Sequence, residues 1–238
     1  MNSMTTNHRL LGLVLILSVA ACDKTPAPAD KAPAPPAAAA APAAPPSEAL
    51  LHPNAAKFMA QGPDSFAVHF VTSRGAFDLT VHRDWSPKGA DRLYYLLSNN
   101  YYDGVRFFRV MSGFMAQFGM SGDTTVERVW KDLNLSDEPV KQSNKRGTLT
   151  FADAGPNTRS AQLFINFVDN SRLDRGGFTP VGQVTNGMSV VDSLYTGYGE
   201  TPDQGRIGAE GNAYLVREFP KLDYIVTARV SQEWKKGN

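Results

Sequence analysis

Phe66, Val68 and Phe70 alternate with Ala67, His69 and Val71, and after a break at Ser73-Arg74-Gly75 the alternation resumes with Phe77, Leu79 and Val81 between polar neighbours. Side chains two apart on a strand share a face, so this period of two predicts a half-buried β-hairpin. The period then changes. In DWSPKGADRLYYLLSNN, Ser86 is a good N-cap, Pro87 suits a first helical turn, and Leu93, Leu96 and Leu97 fall on one face, which predicts a helix over about 87–98. Short apolar segments follow at 105–111, 114–119, 147–152, 162–168, 180–184 and 223–230, set apart by Gly, Asn, Asp and Pro, with a second short helix expected at 187–195. Many short strands with two helices argue for a mainly β domain, an antiparallel barrel closed so that no strand edge is exposed. Residues 196–222 are Gly-rich and read as a long loop before the last strand.

The N-terminal stretch follows other rules. His8 and Arg9 precede an apolar run from Leu10 to Val19 that is too short to span a bilayer, so residues 1–21 are expected to be a signal peptide. Val19-Ala20-Ala21-Cys22 resembles the lipobox of bacterial lipoproteins, which makes Cys22, the one cysteine in the chain, the expected lipidated first residue of the mature protein. Asp23 behind it favours retention in the inner membrane. Residues 23–47 are almost all Ala and Pro, a composition that buries no core and favours extended chain. A lipidated Cys22 and tether over 22–50 and a domain over 62–234, with 196–222 as an extension, are therefore expected. The expected place is the cell envelope, lipid-anchored and facing the periplasm.

Composition narrows the chemistry. With both N-terminal stretches set aside, roughly 190 residues remain, enough for one domain with a full core. The net charge of +1 and the lack of a basic stripe argue against nucleic acid as a partner. The four histidines, at 8, 52, 69 and 82, have no ligand spacing, so no metal site is expected, and no phosphate-cradling Gly loop, Gly-x-Ser-x-Gly motif or Cys nucleophile is present. The adjacent acids Asp137-Glu138 read as a solvated loop pair.

One stretch resists a purely structural reading. YYDGVRFFRVMSGFMAQFGM, residues 101–120, sets Arg109 among Phe107, Phe108, Val110, Phe114 and Met115. A buried, unpaired guanidinium costs several kcal/mol, so Arg109 must reach water, meet a carboxylate, or line a pocket that uses its donors.

Three stretches with irregular internal spacing resemble the cyclophilin-type peptidyl-prolyl cis-trans isomerases: YYDGVRFFRVMSGFMAQFG at 101–119, NKRGTLTFADAGPNTRSAQLFINFVDN at 144–170 and LDRGGFTPVGQVTNGMSVVD at 173–192. The resemblance spans residues 66–230 and implies a closed eight-stranded antiparallel β-barrel capped by two helices. It puts the family's catalytic arginine on Arg109 and the proline pocket on Phe114, Met115, Phe164, Leu173 and Phe178. It makes Gln117 and Gln162 the amides that orient substrate, and gives the backbone at Ala152 and Asp153 the task of pairing with the bound peptide. Rotation of an X-Pro amide needs no cofactor. The implied partners are proline-containing segments of exported proteins, with the chain a monomer. A non-catalytic chaperone that clasps such segments is the alternative. Three positions depart from the family pattern: Phe108 stands where His is common, Asp153 where Asn is frequent, and Arg172 where a Trp or Phe usually borders the pocket.

Overall fold

The computed structural model describes residues 45–235; the expected signal peptide, Cys22 and the tether up to residue 44 lie outside these residues. Two single-turn helices, α1 (Glu48–Leu51) and α2 (Ala55–Phe58), come before the hairpin. They are part of the packed domain. Leu50 is buried and its carbonyl accepts a hydrogen bond from Trp130 Nε1 at 2.9 Å, while Phe58 meets the Trp130 ring edge-on at 5.8 Å. The buried Arg92 guanidinium lies 5.2 Å from both rings, so folded structure begins before residue 62.

The hairpin forms from β1 (Ser65–Thr72) and β2 (Gly75–His82), paired from Ser65↔His82 to Thr72↔Gly75. Phe66, Val68, Phe70, Phe77, Leu79 and Val81 all point into the core, as the alternation requires. Fully burying such side chains contributes about 1.5–3 kcal/mol each before entropy is counted.

Helix α3 (Pro87–Ser98) has the bounds its sequence pattern predicts, but its cap differs. Ser86 makes no side-chain capping bond; its hydroxyl donates to Glu138 at 2.5 Å, and the same carboxylate accepts from the backbone N–H of Lys88 at 2.8 Å and of Gly89 at 3.2 Å. A carboxylate at a helix N-terminus satisfies orphan donors and meets the positive end of the dipole. The Glu138 side chain is thus covered, although Asp137 beside it is exposed as expected, and it pairs with the buried Arg159 at 3.1 Å. Burial opposes its ionisation, yet Ser86, the Lys88 N–H and Arg159 hold its pKa below the ordinary value.

The remaining strands are β3 (Arg109–Met111), β4 (Met115–Phe118), β5 (Thr148–Phe151), β6 (Leu163–Asn166), β7 (Pro180–Asn186) and β8 (Ile225–Trp234). They form one antiparallel sheet in the order β3-β4-β6-β5-β7-β2-β1-β8. The end strands β3 and β8 do not pair with one another, so the strand ladder itself is not closed. Residues just before β3 bridge part of the gap: Gly104 N–H donates to Ile225 O, Phe107 N–H to Asp223 O, and Ile225 N–H to Val105 O, at 2.8–2.9 Å.

More helices are present than the two expected. Helix α4 (Thr124–Trp130) is capped by Asp123, whose side chain accepts from Thr125 and Val126 N–H, and α5 (Met188–Asp192) falls inside the predicted 187–195. The 196–222 segment is not a plain loop. It folds as α6 (Gln204–Glu210) and α7 (Asn212–Glu218) around a second cluster in which Ile207, Tyr214, Leu215, Phe219 and Leu222 pack on Phe108 and Met120. Gly211, between the two helices, has φ +61°, and a Cβ there would lie 2.3 Å from Gly122 O. Only glycine lets the extension approach this closely.

Candidate active site

Strand pairing assembles the site. Arg109 lies opposite Gln117, Gln117 opposite Phe164, and Phe164 opposite Thr150, so the four form one row across β3, β4, β6 and β5. Cross-strand partners share a face, and Met115, two residues from Gln117, shares it too. The opposite face carries Val110, Ala116, Phe118, Leu163 and Ile165 into the main core. The site therefore sits on the outer side of the sheet, under loops that bury both faces.

Those loops complete a cleft of about 490 Å³. Phe114 comes from the tight β3–β4 turn, and its carbonyl accepts from Phe167 N–H and Asn170 Nδ2, both at 2.9 Å. Leu173 lies in a 3-10 turn, Ser171–Gly176, and Phe178 follows it, edge-on to Phe164 at 5.9 Å. Gln162 enters from the residue before β6, and Ala152 and Asp153 from the loop after β5. All ten cleft residues that the family resemblance singles out border this one cavity. The Ala152 N–H donates to Gln162 O at 3.0 Å, so pairing with a bound peptide at Ala152 and Asp153 would fall to the other backbone groups there.

Arg109 sits at the cleft edge, its guanidinium carbon 5.9 Å from the Phe114 ring centre. Nη1 donates to Gln117 Oε1 at 3.3 Å, and Gln117 Nε2 donates to Gln162 Oε1 at 2.9 Å. Because arginine only donates, the chain has one sense: Gln117 turns its oxygen to Arg109 and its nitrogen to Gln162, which leaves Gln162 Nε2 as a donor for a ligand. The other side of Arg109 is held by Glu200 of the extension, whose Oε2 accepts from Nε at 3.1 Å and from Nη2 at 2.9 Å. Burial, with Asp137 nearby, raises the pKa of the Asp153 carboxyl, against the Gly155 N–H and Arg159, which lower it.

Residues absent from the sequence reading complete the site. Lys131, Asp132, Asn134 and Gln204, the last at the start of α6, also line the cleft. Beneath the cleft, Asn144, Asn166 and Asn170 are fully buried. Asn144 Nδ2 donates to Asp174 and to Phe178 O, both at 2.8 Å, and Asn170 Nδ2 donates to Asn166 Oδ1 at 2.8 Å, which ties the loop bearing Leu173 and Phe178 to the sheet. Asn144 and Asn170 stand among turn residues in the sequence, where Asn is unremarkable, while Asn166 sits in the apolar segment that forms β6, and only the fold brings the three together. Among the described residues no cluster of His, Cys, Asp and Glu could hold a metal, and no helix is long and apolar enough to cross a membrane.

A family profile described as "Cyclophilin type peptidyl-prolyl cis-trans isomerase/CLD" matches residues 67–209, more than half of the chain. The chain belongs to the cyclophilin family. It is thereby a peptidyl-prolyl cis-trans isomerase, an enzyme. It is 36% identical over 130 residues to peptidyl-prolyl cis-trans isomerase-like 1 of Rhizopus delemar, covering 52% of this chain and 76% of that protein. A peptidyl-prolyl cis-trans isomerase of Acinetobacter baylyi is 30% identical over 132 residues, 53% of this chain and 70% of the other. A crystal structure of a cyclophilin-type isomerase from Cryptosporidium parvum superposes with a TM-score of 0.55 at 19% identity, covering 71% of this chain and 99% of that one, a likeness of fold.

Two departures from the usual cyclophilin pattern now have physical surroundings. Phe108 faces away from the cleft into the extension's cluster, where an imidazole would leave polar nitrogens among apolar side chains. Arg172 stacks its guanidinium 4.7 Å over the Phe114 ring while Nη1 donates to Asn170 at 3.0 Å, so it backs the Phe114 wall of the cleft rather than lining the cavity.

Proposed function

We propose that this cyclophilin accelerates X-Pro rotation in exported proteins, with Arg109 stabilising the twisted amide. An X-Pro bond rotates against a barrier of ~18–20 kcal/mol because the nitrogen lone pair is delocalised into the carbonyl. Twisting localises that pair and leaves the prolyl nitrogen a better acceptor. A guanidinium donating to it binds the twisted state more tightly than either planar isomer, which is the differential binding that catalysis needs. Phe114, Met115, Phe164, Leu173 and Phe178 grip the ring and exclude water, and Gln162 Nε2 holds the carbonyl of the residue before proline. No covalent step, cofactor or proton transfer enters. The sheet behind the cleft acts as one rounded, barrel-like wall, a reading supported by the 104–107 to 223–225 hydrogen bonds across its seam.

The observation that carries the proposal is the placement of Arg109 beside the apolar slot, linked through Gln117 to Gln162. A pure clasp for proline segments has no use for a donor at that point. Purified full-length protein should speed the cis-to-trans relaxation of an Ala-Pro peptide, and binding of such a peptide without any acceleration would leave only the chaperone reading. The envelope setting rests on the sequence around Cys22: Cys22→Ser should release the protein from the membrane fraction or stall its processing. An unacylated wild type with its N-terminus elsewhere would remove the anchor and leave the enzyme.

A further inference from the structure

The contact between Glu200 and Arg109 is built by backbone as well as by side chains. Val110 N–H donates to Gly199 O at 3.0 Å, so the turn carrying Glu200 is hydrogen-bonded to β3 one residue away from Arg109. Tyr198, on the other side of that turn, packs edge-on against Phe219 at 5.1 Å, and Phe108, the residue before Arg109, enters the same apolar cluster. The extension is thus fastened to the strand on both sides of Arg109. Arg109 presents five N–H donors in one rigid plane. Glu200 takes one at Nε and one at Nη2, and Gln117 takes one at Nη1. One donor on each terminal nitrogen is left for a substrate.

We infer that Glu200 is a positioning residue for the isomerase reaction, holding the Arg109 guanidinium so that its remaining donors stay turned to the proline slot. The inference rests on the role given to Arg109 above. An arginine side chain has many rotamers, and one already oriented when substrate arrives needs no reorganisation at the transition state. The 196–222 segment acquires a purpose on this reading: its two helices and second apolar cluster fix the turn that delivers the carboxylate. A group that acts only by orienting another should change kcat and leave substrate affinity almost untouched, and its effect should vanish when the oriented group is gone.

The test is a double-mutant cycle with one X-Pro peptide, measuring kcat and KM for wild type, Glu200→Ala, Arg109→Ala and the double variant. Glu200→Ala should lower kcat about fivefold with KM within about twofold, and the double variant should match Arg109→Ala alone. A kcat loss below about threefold, or the same fractional loss from Glu200→Ala in the Arg109→Ala background, overturns the positioning role, since the latter would mean a general effect on the fold. An inactive wild type removes the isomerase reading itself, whereas an active wild type with an unaffected Glu200→Ala removes only this inference.

Discussion

Two of the arginine–glutamate pairs in this molecule, Arg159–Glu138 and Arg109–Glu200, differ in almost everything except chemistry. Arg159 and Glu138 are buried, with side chains 1% and 7% exposed, and the carboxylate also serves Ser86 and the first turn of α3. Arg109 and Glu200 stand at the cleft, 30% and 61% exposed, and the guanidinium keeps donors to spare. Removing one partner from a buried pair strands a charge that water cannot reach, whereas an exposed pair is screened and contributes little to stability. The first pair is therefore expected to hold the fold, and the second is the one proposed to serve the reaction. A third glutamate completes the contrast: Glu127 is buried with no ion-pair partner among the described residues. Burial pushes its pKa up to about 7, and the Ser121 N–H, Tyr101 and Lys131 only partly oppose the shift.

The largest effect is expected at Glu138. Glu138→Ala should lower the unfolding free energy by about 3–5 kcal/mol, read from chemical denaturation, because it leaves Arg159 unpaired and α3 uncapped. A loss under about 1 kcal/mol would put the buried pair on the same footing as the exposed one. The next effect is smaller and depends on pH. Glu127 has a folded pKa of about 7 against an ordinary 4.5, so below pH 4.5 both folded and unfolded chains hold the proton and its contribution is fully present. As pH rises from 4.5 through 7 the unfolded chain releases the proton first, and stability falls by about 3 kcal/mol at most. Glu127→Gln should flatten that part of the stability–pH curve; an unchanged slope would mean the carboxylate is not the titrating group. Smallest of all should be the effect of Glu200→Ala on stability, under about 1 kcal/mol, which is the mirror of Glu138→Ala.

Regular periods made part of this fold legible in advance. The hairpin and α3 were readable because alternation and the Leu93, Leu96, Leu97 face each report a repeating geometry. Nothing local marks the partners of Glu138: Ser86 and Lys88 lie about fifty positions away, and an acid in a polar loop looks solvated until the fold covers it. The α6–α7 pair was hidden by Gly208 and Gly211, which weaken a helical pattern, and by helices of only seven residues. The ten cleft residues were legible through the family resemblance, since three irregularly spaced motifs carry them. Glu200, 91 positions from Arg109, lies in the segment those motifs do not include.

The proposed chemistry turns on Arg109. Losing one preorganised donor to a transition state typically costs on the order of 10²–10³ in rate, or ~3–4 kcal/mol. Isomerisation of an X-Pro peptide should therefore be measured for wild type and for Arg109→Ala, with folding of the variant checked by circular dichroism. The expected result is a folded variant whose kcat/KM falls by that factor; a folded variant that keeps more than roughly a third of the wild-type value would show that Arg109 does not carry the rate.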